Sequence, residues 1–104
     1  MQIAIHDDGA AATVTMTGRL DISGAEVVAL PLATLSGSKN ALFVDMAGVT
    51  FIASIGLRHL VSAAKAIGRR GGRLVLLNPN MAVTEVITTS GLAGLLPIER
   101  GGAP

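Results

Sequence analysis

The sequence predicts an α/β domain on a mixed, mostly parallel sheet, with an N-terminal hairpin and about three to four helices. Three observations carry this. Strand-like and helix-like segments alternate after Gly18, the pattern of strands joined by crossover helices. Two short aliphatic runs, residues 41–46 and 73–77, have strand length, and the first is as apolar as a central strand covered on both faces. Ahead of Gly18, residues 12–17 alternate Thr13, Thr15 and Thr17 with Val14 and Met16, which gives a strand with one polar face.

Residues 2–5 form the first predicted strand, and His6-Asp7-Asp8-Gly9 supplies turn chemistry toward residues 12–17, so the two strands pair as an antiparallel hairpin. Gly18-Arg19-Leu20-Asp21 is expected to leave the sheet. Asp21 or Ser23 caps a helix to about Leu35, which Pro31 should kink or delay. Residues 36–40 read as a loop and 41–46 as a strand, which Ala47-Gly48-Val49 breaks. The clearest helix runs from Ser54 or Ile55 to about Arg69. Leu57, Leu60, Val61, Ala64 and Ile67 fall at helical spacing, and Gly71-Gly72 ends it. Arg73 to Leu77 is a second central strand. Asn80 caps a helix to about Ser90, stopped by Gly91. Residues 95–98 read as a last edge strand and 100–104 as a frayed tail beyond a core of residues 2–99.

At 104 residues the chain is long enough for one domain and one core, aliphatic because it holds two Phe and no Tyr or Trp. A net charge of +1 and the missing aromatics give neither the basic footprint nor the stacking platform of a nucleic-acid binder. Without cysteine there is no disulfide, thiol catalysis or Cys-ligated metal. Mean hydropathy is +0.61. Even so, Asp45, Arg58, the Arg69-Arg70 pair and Glu85 interrupt each apolar stretch short of the roughly 20 residues a spanning helix needs. The opening MQIAIHDDG lacks a basic region followed by an apolar run, so no signal peptide, no membrane partner and a bacterial-type cytoplasmic location are expected.

The chemistry concentrates at Ser54. At the start of the main helix it faces the orphan N–H groups and the positive end of the dipole, where an attached phosphate is stabilised. It also reads as an ordinary N-cap, although Leu57 stands where a capping box would place Glu or Gln. Asp21 shares a rim with Ser54 if their strands run parallel, or caps its own helix. Asp45 reads as a hydrogen-bond acceptor shaping the Ala47-Gly48 turn. Arg58, Ser62, Lys65 and Arg69 form a polar stripe that is either a plain solvated face or a contact for an acidic surface. His6 and His59 share no metal-ligand spacing. No hydrolase elbow is present, because Ile52 stands where G-x-S-x-G needs its first glycine. Neither a Walker loop nor G-x-G-x-x-G occurs, so no catalytic residue, metal or cofactor is assigned and the chain is not read as an enzyme.

Gly18-Arg19-Leu20-Asp21, Val44-Asp45-Met46-Ala47-Gly48-Val49, Phe51-Ile52-Ala53-Ser54-Ile55-Gly56-Leu57 and Thr89-Ser90-Gly91-Leu92 occur in that order. Together, over about residues 2–99, they resemble the STAS domain, in particular the stand-alone bacterial anti-sigma factor antagonists. The resemblance implies a STAS-like single domain. It also implies a partner, an anti-sigma factor that is a serine kinase of histidine-kinase-like ATPase fold, bound when the antagonist is unphosphorylated and released on phosphorylation. A metal-dependent serine phosphatase reverses the step. By position the phosphorylated serine is Ser54, and the partner-binding rim is Asp21, Ser23, Thr50, Ala53, Ser54, Ile55, Gly56, Arg58 and Ser62. The family often has Asp-Ser-Ser-Gly-Leu where this chain has Ala53-Ser54-Ile55-Gly56-Leu57. The alternative is a STAS-type scaffold, or a lipid or nucleotide binding module, without the switch.

Overall fold

The computed structural model describes residues 1–101. They form β1 (Gln2–Asp8), β2 (Ala11–Leu20), α1 (Ile22–Ser36), β3 (Ala41–Ile52), α2 (Ser54–Arg69), β4 (Arg73–Leu77), α3 (Met81–Thr89) and β5 (Ile98–Glu99). The strands make one sheet in chain order. β1 and β2 are antiparallel, and every later neighbour is parallel. This is the predicted mixed sheet with an N-terminal hairpin.

The hairpin turns later than the acidic residues suggested. His6, Asp7 and Asp8 stay in β1, and the turn is Gly9-Ala10. Gly9 has φ +80 while Ala10 is not left-handed, the type II′ arrangement that suits strand twist. Asp7 bends the exit by accepting from the Gly9 N–H at 2.9 Å and pairs with the buried Lys39 ammonium at 2.5 Å. Lys39 also donates to the Gly9 carbonyl at 2.6 Å, which ties the hairpin to the α1–β3 connection.

The larger difference lies in the middle of the sheet. β2 continues through Gly18-Arg19 to Leu20, and β3 runs to Ile52 instead of stopping at Met46. Thr15 pairs with Asp45 but Thr17 with Gly48; Gly18 pairs with Val49 but Arg19 with Phe51. At each step β3 carries one extra residue, so Ala47-Gly48 and Thr50 are β-bulges and not a break. Asp45 has the expected acceptor role, taking the Ala47 N–H at 3.1 Å, but it shapes the first bulge and not a loop.

Each parallel step moves the same way across the sheet, so right-handed crossovers place the three helices on one face. That face holds the core, with Val14, Met16, Leu42, Val44, Met46, Leu60, Ile67, Leu76 and Ile87 at 2 % exposure or less. β3 is therefore helix-covered on one side only. Its alternate residues Ala41, Phe43 and Asp45 are half-buried, contrary to the two-faced burial expected of an apolar run.

α1 is capped by Asp21 and passes through Pro31 without a break. α3 is capped by Asn80, whose Oδ1 accepts from the Val83 N–H at 2.8 Å, and its C-cap Ser90 is followed by Gly91 with φ +76. Residues 95–97 are turn and coil, so the edge strand is only Ile98–Glu99, and the fully buried Leu96 anchors its approach. Arg100 and Gly101 are not frayed. Arg100 donates to the Pro79 carbonyl at 2.6 Å, and the Gly101 N–H donates to Asn78 Oδ1 at 3.1 Å. The rest of the expected tail, residues 102–104, lies outside the described residues.

Candidate functional site, the rim at the strand ends

β2 and β3 end side by side, with Leu20 in register with Ile52, and each strand passes directly into a helix. The Ala53 N–H donates to the Leu20 carbonyl at 2.9 Å, which locks the two exits together. Asp21 and Ser54 therefore share one rim, as parallel strands require. Two glycines make this close packing possible. A Cβ on Gly24 would stand 2.3 Å from the Arg19 carbonyl oxygen. A Cβ on Gly56 would stand 2.6 Å from Leu20 Cγ and 3.0 Å from the Leu20 carbonyl oxygen. Gly56 is buried, so it seats α2 on the end of β2 and offers no accessible side to a partner.

Asp21 is the cap of α1, its Oδ1 accepting from the Gly24 N–H at 2.9 Å. That bond first, and the Arg19 side chain next among the stabilising contacts, hold its carboxyl below the usual value of 3.8. Arg19 lies 3.5 Å from Asp21 and stacks on the Phe51 ring, 4.3 Å from its centroid. Ser23 and Thr50 are exposed, and Thr50 donates a long 3.4 Å bond to the Gly18 carbonyl.

Ser54 is not the N-cap that its position suggested. The cap residue is Ala53, which has no side-chain acceptor, and Ser54 is the first helical residue. Its side chain is solvent-exposed. α1 and α3 have side-chain caps and α2 does not, so the N–H groups of Ser54, Ile55 and Gly56 point outward without a side-chain acceptor among the described residues. The first turn of α2 holds no acidic residue. A dianion on the Ser54 hydroxyl would thus meet free donors and the positive end of the dipole, and would meet Asp21 as the nearest acid of the rim.

Further along α2, Arg58, Ser62, Lys65 and Arg69 are all exposed and share one face, while Ile55 and His59 are half-buried on the side toward α1. His6 pairs with Asp8 at 3.0 Å on β1, at the opposite end of the sheet from the rim. Among the described residues no three His, Asp or Glu side chains are grouped to hold a metal. Sequence reasoning missed the apolar members of this surface. Ile22 is 71 % exposed directly after the cap of α1, and Phe51 is 40 % exposed beside the second bulge. The signal for Ile22 was available, because a large apolar residue at the first position of a capped helix faces outward. Phe51 was hidden by the assumption that the strand had ended.

The family model described as "Mlab, STAS domain" matches residues 3–97, and the chain belongs to the STAS domain family. No curated protein matches it. Solved structures of the same fold include three anti-sigma factor antagonist structures. The anti-sigma factor antagonist SpoIIAA in its unphosphorylated form is 19 % identical with a TM-score of 0.84, over 97 % of this chain and 89 % of that one. The Bacillus cell fate determinant SpoIIAA in the phosphorylated form is 18 % identical with a TM-score of 0.78, over 97 % and 92 %. An anti-sigma factor antagonist from Mycobacterium paratuberculosis is 23 % identical with a TM-score of 0.81, over 93 % and 83 %. No helix among the described residues is long and apolar enough to cross a membrane.

Proposed function

We propose that this protein is an anti-sigma factor antagonist that works by partner switching. Unphosphorylated, it binds a kinase-like anti-sigma factor through the rim of Asp21, Ser23, Thr50, Ala53, Ser54 and Ile55, continued by Arg58 and Ser62 on α2. Phosphorylation of Ser54 adds a charge of about −1.5 to −2 in the middle of that surface, which opposes rebinding, and a serine phosphatase resets it. The chain itself catalyses nothing, and it acts in the cytoplasm on transcription. The observation that carries this is the state of Ser54: exposed, at the first position of a helix without a side-chain cap, on a rim closed by tight glycine packing. That a protein of this fold has been solved in a phosphorylated form supports it. Incubation with ATP and the kinase-like anti-sigma factor of the same genome, followed by peptide mapping, tests it. Phosphate on Ser54 is expected; no incorporation together with no binding would overturn the assignment.

Ala53 and Ile55, which flank Ser54 with apolar groups, favour a second reading. In it the rim is a plain docking or small-ligand surface, as in a scaffold or a lipid or nucleotide binding module. Native mass spectrometry of freshly purified protein separates the two, because a retained small molecule belongs only to the second.

A further inference from the structure

α1 and α2 follow parallel strands and return on the same face, so they lie side by side and run in the same direction away from the rim. Between them is a groove of about 230 Å³, lined on the α1 side by Ala29 and Ala33 and on the α2 side by His59, Ser62 and Ala66. At the rim end the helical periodicity continues these two rows into Ile22 (residues 22, 29, 33) and Ile55 (residues 55, 59, 62, 66). Ile22 is 71 % exposed, and Leu30, on the outer face of α1, is 73 % exposed. The crest on the α2 side is of one sign. Arg58, Lys65 and Arg69 are exposed there, and α2 contains no Asp or Glu. The α1 crest carries the single charge of Glu26.

Building on the rim as the partner surface, we propose that this groove receives an amphipathic helix of the protein partner with acidic residues along one edge. Alanines at the groove wall let a third helix approach closely. Ile22 and Leu30 meet its apolar stripe, and the basic crest of α2 meets its acidic edge. The charge pattern selects the occupant. An acidic edge is attracted to Arg58, Lys65 and Arg69, and a basic one is repelled. Ser54 begins the helix whose exposed crest carries Arg58, so a phosphate there adds a like charge to the field that the acidic helix meets, which gives the switch an electrostatic lever.

The test uses the whole chain and two labelled amphipathic helices of about five turns, with the same leucine stripe but with Glu or with Lys along the edge, read by fluorescence anisotropy. The acidic helix is expected to bind, more weakly as salt rises, and the basic one is not. Ala33→Trp, which fills the groove from an exposed position, and the double variant Arg58→Glu/Lys65→Glu should each weaken binding about tenfold or more. Circular dichroism should show both variants folded. Equal binding of the two helices, binding of neither, or an unaltered affinity in Ala33→Trp overturns the proposal. Adsorption to phosphatidylglycerol vesicles without helix binding overturns it in favour of a membrane surface. Phosphate incorporation at Ser54 is scored separately. Helix binding without incorporation leaves the groove standing and removes the switch; incorporation without helix binding does the reverse.

Discussion

At the scale of single residues, the rim depends on groups that permit close approach. Gly56→Ala is expected to destabilise the domain by about 1–3 kcal/mol, because its Cβ would press on the fully buried Leu20, which has no room to withdraw. Chemical denaturation measures the shift; a change under about 0.5 kcal/mol would mean that α2 is seated less firmly than its contacts show. Asp45→Ala should cost about 1 kcal/mol, since the bulge N–H of Ala47 loses its acceptor, and should leave partner binding unchanged. Loss of binding at an unchanged denaturation midpoint would place Asp45 in the interface instead. Ser54 differs from both. As the first helical residue and not the cap, it makes little contribution to the fold. Ser54→Ala is expected to stay within about 0.5 kcal/mol of the parent by calorimetry, where a true cap would cost about 1.

At the scale of elements, Pro31 gives the sharpest expectation. It sits inside α1 and removes the donor that the Val27 carbonyl would otherwise receive, yet the helix runs on from Ile22 to Ser36. Pro31→Ala should raise stability by about 1 kcal/mol, the restored helix bond outweighing the freer unfolded chain, and should leave the rim's binding intact. A fall in stability would show that Pro31 relieves strain in the packing of α1. The elements themselves were legible to different degrees. α2 was readable end to end from its apolar spacing and its terminal glycines. α1 and α3 were readable from Asp21 and Asn80, whose caps form as the residue types dictate. β2 and β3 were truncated because Gly18 and Ala47-Gly48 carry strand-ending chemistry. Only pairing with a neighbour, which local sequence does not encode, turns those residues into bulges. The site suffered in proportion. Asp21 and Ser54 were placed on one rim correctly, but the continued strands moved the cap of α2 back to Ala53 and brought Phe51 to the surface.

At the scale of the whole molecule, acid stability follows from two carboxylates far apart on the fold. Asp7, held by Lys39 and then by the Gly9 N–H, and Asp21, held by the Gly24 N–H, both lie below the ordinary value of 3.8 when folded. A depressed folded value means stability that is complete above the unfolded value and is lost as pH falls through the folded one. Stability should therefore be level from neutrality down to about pH 5 and decline below about pH 4. Asp7→Asn should flatten that decline, and an equally steep acid limb in the variant would show that Asp7 is not a source of it.

The central claim is that charge at Ser54 controls a protein partner. The most direct measurement is calorimetric titration of Ser54→Asp, Ser54→Ala and the parent chain with the kinase-like anti-sigma factor of the same genome. Ser54→Ala should bind as tightly as the unmodified parent. Ser54→Asp, which suits the helix dipole and folds at least as well, should bind about tenfold more weakly or worse. Equal affinity of Ser54→Asp and the parent would contradict the switch.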